Sequence, residues 1–189
     1  MTLPRFLRWT LALALLGLAT ARGEALANNP HSNNYYLTGT VYFTNLQNAT
    51  QQGALVPYSG YGWSALTGPN RQTGSIRNLS GLIPINVNTY IFYGEVGPHP
   101  WMPSHHRVHL IETWHGNIFC AWRAVFTLQI LNPQGDAIFS GDGHFHVVGG
   151  TDRYRRASGQ FRTQFRSGPV PAGANDASAD VIQYGTIKR

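Results

Sequence analysis

Histidine is the residue type whose placement in this sequence invites a chemical reading. His99, His105, His106 and His109 crowd into one short segment, His115 follows, and His144 and His146 form an H-x-H. On a β-strand, alternate positions send both rings of an H-x-H to one face, which lets two imidazoles reach one metal ion. His105 and His109 likewise share a face. His144, His146 and His109, or His105 in its place, would therefore make a three-nitrogen site for copper or zinc if their strands paired suitably. The plainer arrangement is a set of surface or barrel-mouth histidines partly paired with Asp142 or Glu112, and it is the expected one. On that reading no cofactor is needed.

Acid–base chemistry has few carriers here. Glu112 stands in the alternate row Val108, Leu110, Glu112, Trp114, where burial would be costly without a partner. Arg123, in an otherwise apolar segment, is its expected partner. A buried Glu112 with Arg123 inside a cavity would bind a polar head group or abstract a proton. The alternative places both on the outside of the sheet. Tyr58, Tyr61, Trp63, Trp101 and Trp114, with Trp122, are candidates to line a pocket for a planar ligand, although half or more of such aromatics belong to an ordinary core. No G-x-S-x-G, phosphate loop, dinucleotide motif or Cys-His pairing is present.

The elements that must position these residues read as strands. Tyr35 to Thr44 alternates an apolar row with a hydroxyl-rich one, and Ile85 to Glu95, Arg107 to Trp114 and Ile118 to Leu131 follow as strands. Gly97 to Pro103 interrupts them with prolines that cannot donate to a ladder. Asn132-Pro133-Gln134-Gly135-Asp136 is a turn. After it, Ala137, Phe139, Gly141, Gly143, Phe145 and Val147 alternate with Ile138, Ser140, Asp142, His144 and His146. Gly149-Gly150-Thr151-Asp152 reverses the chain, and Gly159 to Arg166 returns. Ser167 to Ala177 reads as a loop and Ala179 to Ile187 as the closing strand. Asn45 to Gly74 keeps no period, so it is either a long functional loop or concealed strand. Seven or eight strands without a helical stripe argue for an antiparallel sandwich or a closed barrel.

The first residues have another purpose. Arg5 and Arg8 precede the apolar run Trp9 to Ala19, and Ala25-Leu26-Ala27 is an A-x-A site, so residues 1–27 read as a secretory signal peptide and 28–189 as a single domain. The expected location is secreted or periplasmic, and no membrane span is expected. The formal charge of +6 rests almost wholly on arginine, with Lys188 the only lysine; nucleic acid is not an expected partner of a chain expected to be exported. Cys120 is the only cysteine, so no disulfide forms within the chain, and its apolar row makes it a buried, inert thiol.

Val147-Val148-Gly149-Gly150-Thr151-Asp152-Arg153-Tyr154-Arg155-Arg156-Ala157-Ser158-Gly159 resembles the GGTG-[RK]-[FY]-x-x-A-x-G corner of the allene oxide cyclase and dirigent-like β-barrels, and Asn132 to Gly143 resembles the turn and strand before it. Asp152 stands where that family usually has glycine. The resemblance implies an all-β fold, a single antiparallel eight-stranded β-barrel of the calycin or allene oxide cyclase-like type, often a homo-oligomer, holding a small hydrophobic or aromatic molecule. It further implies guided cyclisation or isomerisation with few catalytic groups. The rival expectation is a non-enzymatic metal-binding or carrier protein using the histidines.

Overall fold

Strands joined almost entirely by turns close into one sheet in the computed structural model, which describes residues 33–103 and 106–189. The expected signal peptide and His105 lie outside those residues. In chain order the strands are β1 (Asn34–Phe43), β2 (Leu55–Ser64), β3 (Gly68–Asn78), β4 (Ile83–Asn86), β5 (Thr89–Val96), β6 (His109–Thr113), β7 (Gly116–Ile130), β8 (Ala137–Gly150), β9 (Ser158–Val170) and β10 (Ala177–Lys188). Every pairing is antiparallel. Pairing of β2 with β3 closes the order into a ring of eight staves, a closed barrel, with β4 an additional strand paired to β5.

One stave is built from two strands. β5 and β6 both lie between β3 and β7 and run in the same direction along them. Glu95 faces Arg123 and His109 faces Cys120, so partners three residues apart on β7 stand fourteen apart on the interrupted stave. The extra chain is the proline-rich segment that begins at Gly97. It folds over the outer face of β3, where Ser75 Oγ donates to the Pro98 carbonyl at 2.6 Å and Thr73 Oγ1 lies 2.9 Å from His99 Nε2. Prolines cannot supply ladder hydrogens, and the excursion removes them from the stave. This strap buries Thr73 and its register neighbour Leu110 on the outside of the barrel.

The alternating rows point where two-residue periodicity requires. Tyr35, Leu37, Val41 and Phe43 on β1, Ile118, Cys120, Trp122 and Phe126 on β7, and Phe139, Phe145 and Val147 on β8 are buried. Cys120 is wholly buried, and burial pushes its thiol above the usual range, so it stays protonated.

Two expectations require correction. The stretch from Asn45 to Gly74 holds β2 and most of β3, joined by a tight turn at residues 65–67. Its period is hidden because Gly60 and Gly62 take inward positions while Tyr61 and Trp63 face out. A Cβ on Gly62 would stand 2.8 Å from Leu37 Cδ2, so the wall has no room for a side chain there. Ile85 to Glu95 is likewise a β4–β5 hairpin rather than one strand, its turn held by the Asn88 N–H donating to Asn86 Oδ1 at 3.0 Å. At the β8–β9 corner Asp152 has a φ of 48°, left-handed backbone that glycine adopts without strain, and Thr151 Oγ1 donates to its carboxylate at 2.9 Å.

Candidate functional site: the barrel interior

The inward rows of the staves meet around a cavity of about 50 Å³. Its wall is aromatic and aliphatic, including Phe43, Trp122, Phe126, Phe145, Phe165 and Val181. Trp122 stacks on Phe145 with centroids 5.6 Å apart, and Phe145 on Phe161 at 5.0 Å. Gly141, Gly143 and Ala124 are also in the wall, the two glycines where neighbouring side chains leave no room for a Cβ. A Cβ on Gly141 would meet the Phe165 ring at 2.4 Å. The volume is several times what one water needs and well below the ~150 Å³ that takes a benzene ring.

A second apolar pocket, about 150 Å³, lies at one barrel end, between the β1–β2 connection, the ends of β7 and β9 and the start of β8. Phe92 and Phe139 line it, and both stack on Phe126 of the inner wall, at 4.7 and 5.8 Å. These three rings separate the end pocket from the inner cavity.

Two polar groups of buried side chains serve the interior. In the first, Trp122 Nε1–H donates to Tyr58 Oη at 3.3 Å, and Tyr58 Oη lies 2.8 Å from His109 Nδ1. Indole nitrogen can only donate, so Tyr58 accepts from Trp122, and of the two directions open to the second contact only donation from the Tyr58 hydroxyl to Nδ1 also uses the hydroxyl hydrogen, which has no other acceptor among the hydrogen bonds of the described residues. His109 then carries its ring hydrogen on Nε2. That atom is buried and has no hydrogen-bond partner. Burial, reinforced by His99, lowers the His109 pKa from 6.5 to about 3, so the ring is neutral at ordinary pH. Burial likewise holds the Tyr58 hydroxyl far above its usual range, and it remains protonated. In the second group, Tyr35 Oη donates to Gln183 Oε1 at 2.7 Å, and Gln183 Nε2 donates to Gln72 Oε1 at 2.9 Å. Gln72 passes the chain to Asn70 at 3.4 Å. Thr163 Oγ1, in the cavity wall, is buried without a partner.

The residues picked out from the sequence scatter over both faces of the wall. Tyr58 and His109 are inside. Glu112 and Arg123 are not brought together: Glu112 forms a half-exposed ion pair with Arg71 at 3.8 Å, and Arg123 is exposed on the outer face, opposite Glu95 and His144 in register. The row Val108, Leu110, Glu112 misled because Leu110 is buried under the strap, while His109 and Ile111 fill the interior. Tyr61 and Trp63 face outward. Trp101 lies in the strap with the Arg71 guanidinium 5.1 Å from its ring centre, and Trp114 is 84 % exposed at the β6–β7 turn.

The three-imidazole set does not assemble either. His144 and His146 are on the outward row of β8, on the opposite side of the wall from His109. Beside them Asp142 accepts from Arg162 Nε and Nη2, and from Gln164 Nε2 at 2.9 Å. That arginine holds the Asp142 carboxyl below its usual range. Among the described residues no group of three or more His, Cys, Asp or Glu side chains converges as a metal site.

Phe126, Phe145, Phe165, Thr163, Gln72 and Gln183 were not singled out from the sequence. The phenylalanines and Thr163 were visible as members of alternating rows, but nothing local distinguished a cavity wall from a packed core. Gln72 lay in the stretch whose period the glycines hid.

A scan against protein-family models found no match, and searches of curated proteins and of solved structures found none either.

Proposed function

We propose that this is an exported barrel protein that binds a small hydrophobic or aromatic molecule in its interior. The observation that carries this reading is the aromatic-walled cavity that remains open inside a closed barrel, with few polar groups facing it. Burying apolar surface there would supply the affinity, at roughly 25 cal/mol per Å² before the costs of association are met. The resemblance at the Gly149-Gly150 corner extends the proposal to chemistry, the guided cyclisation or isomerisation of the bound molecule. Confinement and exclusion of water are the means such an interior offers, because its polar groups are neutral amides, hydroxyls and an uncharged imidazole.

Expression in an exporting host, followed by native and denatured mass spectrometry, tests both parts. The denatured mass should correspond to a chain beginning at Asn28, and the native mass should show a small organic adduct or take one up from a panel of one-ring compounds. Retention of residues 1–27 would refute export. Failure of every apolar ring to bind would refute the interior site.

A further inference from the structure

His109 Nε2 and Thr163 Oγ1 are polar atoms inside the barrel wall without a protein partner. His109 is 2 % exposed and Thr163 8 %, and both line the inner cavity. Leaving a buried polar group unsatisfied is costly, so such groups persist where something else completes them. The direction of the missing bond at His109 follows from the arrangement that uses the Tyr58 hydroxyl hydrogen. The relay Trp122 to Tyr58 to His109 consumes Nδ1 as acceptor and leaves Nε2–H as a donor facing apolar surroundings. His109 is also fixed in place: its ring lies edge-on to Phe145 at 5.2 Å and stacked on Tyr58 at 5.8 Å.

We infer that the molecule bound in the interior carries a neutral hydrogen-bond acceptor oxygen, a carbonyl, on an apolar or aromatic body, and that this oxygen is held by His109 Nε2–H with its body among Trp122, Phe126 and Phe145. This rests on the interior-binding reading and narrows its ligand class. A carboxylate is disfavoured, because the wall offers no cation to compensate a buried negative charge. A hydrocarbon leaves Nε2–H unpaired. A ketone or aldehyde satisfies the donor without bringing a donor of its own that the apolar wall would strand. The end pocket, large enough for one ring, supplies the approach, and displacement of the Phe92–Phe126–Phe139 stack both admits the molecule and widens the inner cavity, which at about 50 Å³ is too small for a ring until those side chains move.

The test pairs two compounds of nearly equal shape, acetophenone and α-methylstyrene, which differ by oxygen against methylene. Calorimetric titration of the folded chain should give the ketone about a tenfold advantage or more. His109→Phe should remove that advantage, and His109→Gln, which keeps a donor, should restore part of it. If His109→Phe does not fold, the native protein decides alone: nitrogen-15 spectra of the imidazole should show the Nε2–H tautomer and a shift of Nε2 with acetophenone but not with α-methylstyrene. Equal binding of both compounds, or a ketone preference that survives in His109→Phe, would overturn the inference and leave the interior site standing. Binding of neither would overturn both.

Discussion

Tyr58 Oη lies 2.8 Å from His109 Nδ1, and the hydroxyl is itself hydrogen-bonded by Trp122 Nε1 at 3.3 Å. The three residues come from β2, β6 and β7, so the contact crosses the barrel interior and joins its walls. With the hydroxyl donating to Nδ1, the other ring nitrogen, Nε2, is left buried in the interior without a protein partner.

Tyr58→Phe deletes the centre of that relay and strands both the indole N–H and Nδ1. The expected loss is about 1–3 kcal/mol of stability, read as a shift of the denaturation midpoint without a change in slope. A variant as stable as the native chain would show that the relay contributes nothing.

His109 makes the fold sensitive to acid. Its folded pKa of about 3 lies below the ordinary 6.5, so the unfolded chain takes up a proton that the folded one refuses. The stabilising effect is complete above pH 6.5 and is lost as pH falls from there toward 3, at up to about 1.4 kcal/mol per unit. His99, lowered chiefly by burial, acts with the same sign. Stability measured from pH 7 to pH 4 should fall, and His109→Gln should flatten the curve. An unchanged slope in that variant would contradict the assignment.

Ala124→Leu places three additional carbons in the cavity wall. It should abolish interior binding while overpacking costs about 1–3 kcal/mol. Circular dichroism and a ligand titration on the same sample separate the two effects, and a folded variant that binds as before would move the site elsewhere.

The outer histidines and aromatics should be separable from that site. His144→Ala with His146→Ala, and Trp63→Ala or Trp114→Ala, remove outward side chains and should each leave stability within about 0.5 kcal/mol. Interior affinity should be unchanged in all of them, and unchanged after chelation with EDTA. A loss of ligand binding on chelation would instead support a role for metal.

Most staves were legible because one face of each is apolar and alternation exposes it, as in Phe139 to Val147 or Ile118 to Phe126. Legibility failed where a stave breaks that rule. β2 turns Gly60 and Gly62 inward and Trp63 outward, and the β5–β6 stave is split by a strap that buries Leu110 from outside. The same two irregular staves contribute Tyr58 and His109. The site was therefore hidden where the pattern was weakest: Tyr58 and His109 were each singled out, but for different chemistries, and Glu112 with Arg123 was paired on the strength of a row that faces the strap. The reversal near Asp152 was legible, since its glycines and polar residues signal it directly, but the 3-10 turn over Asp152–Tyr154 was not.

The most direct test of the interior site is residue-resolved NMR mapping with acetophenone as the probe. Signals of inward residues, Trp122, Phe126, Phe145 and Thr163 among them, should shift together and saturate at one affinity, while outward Tyr61, Trp63 and His144 stay still. Shifts confined to those outward residues, or no saturable shift at any position, would contradict the account.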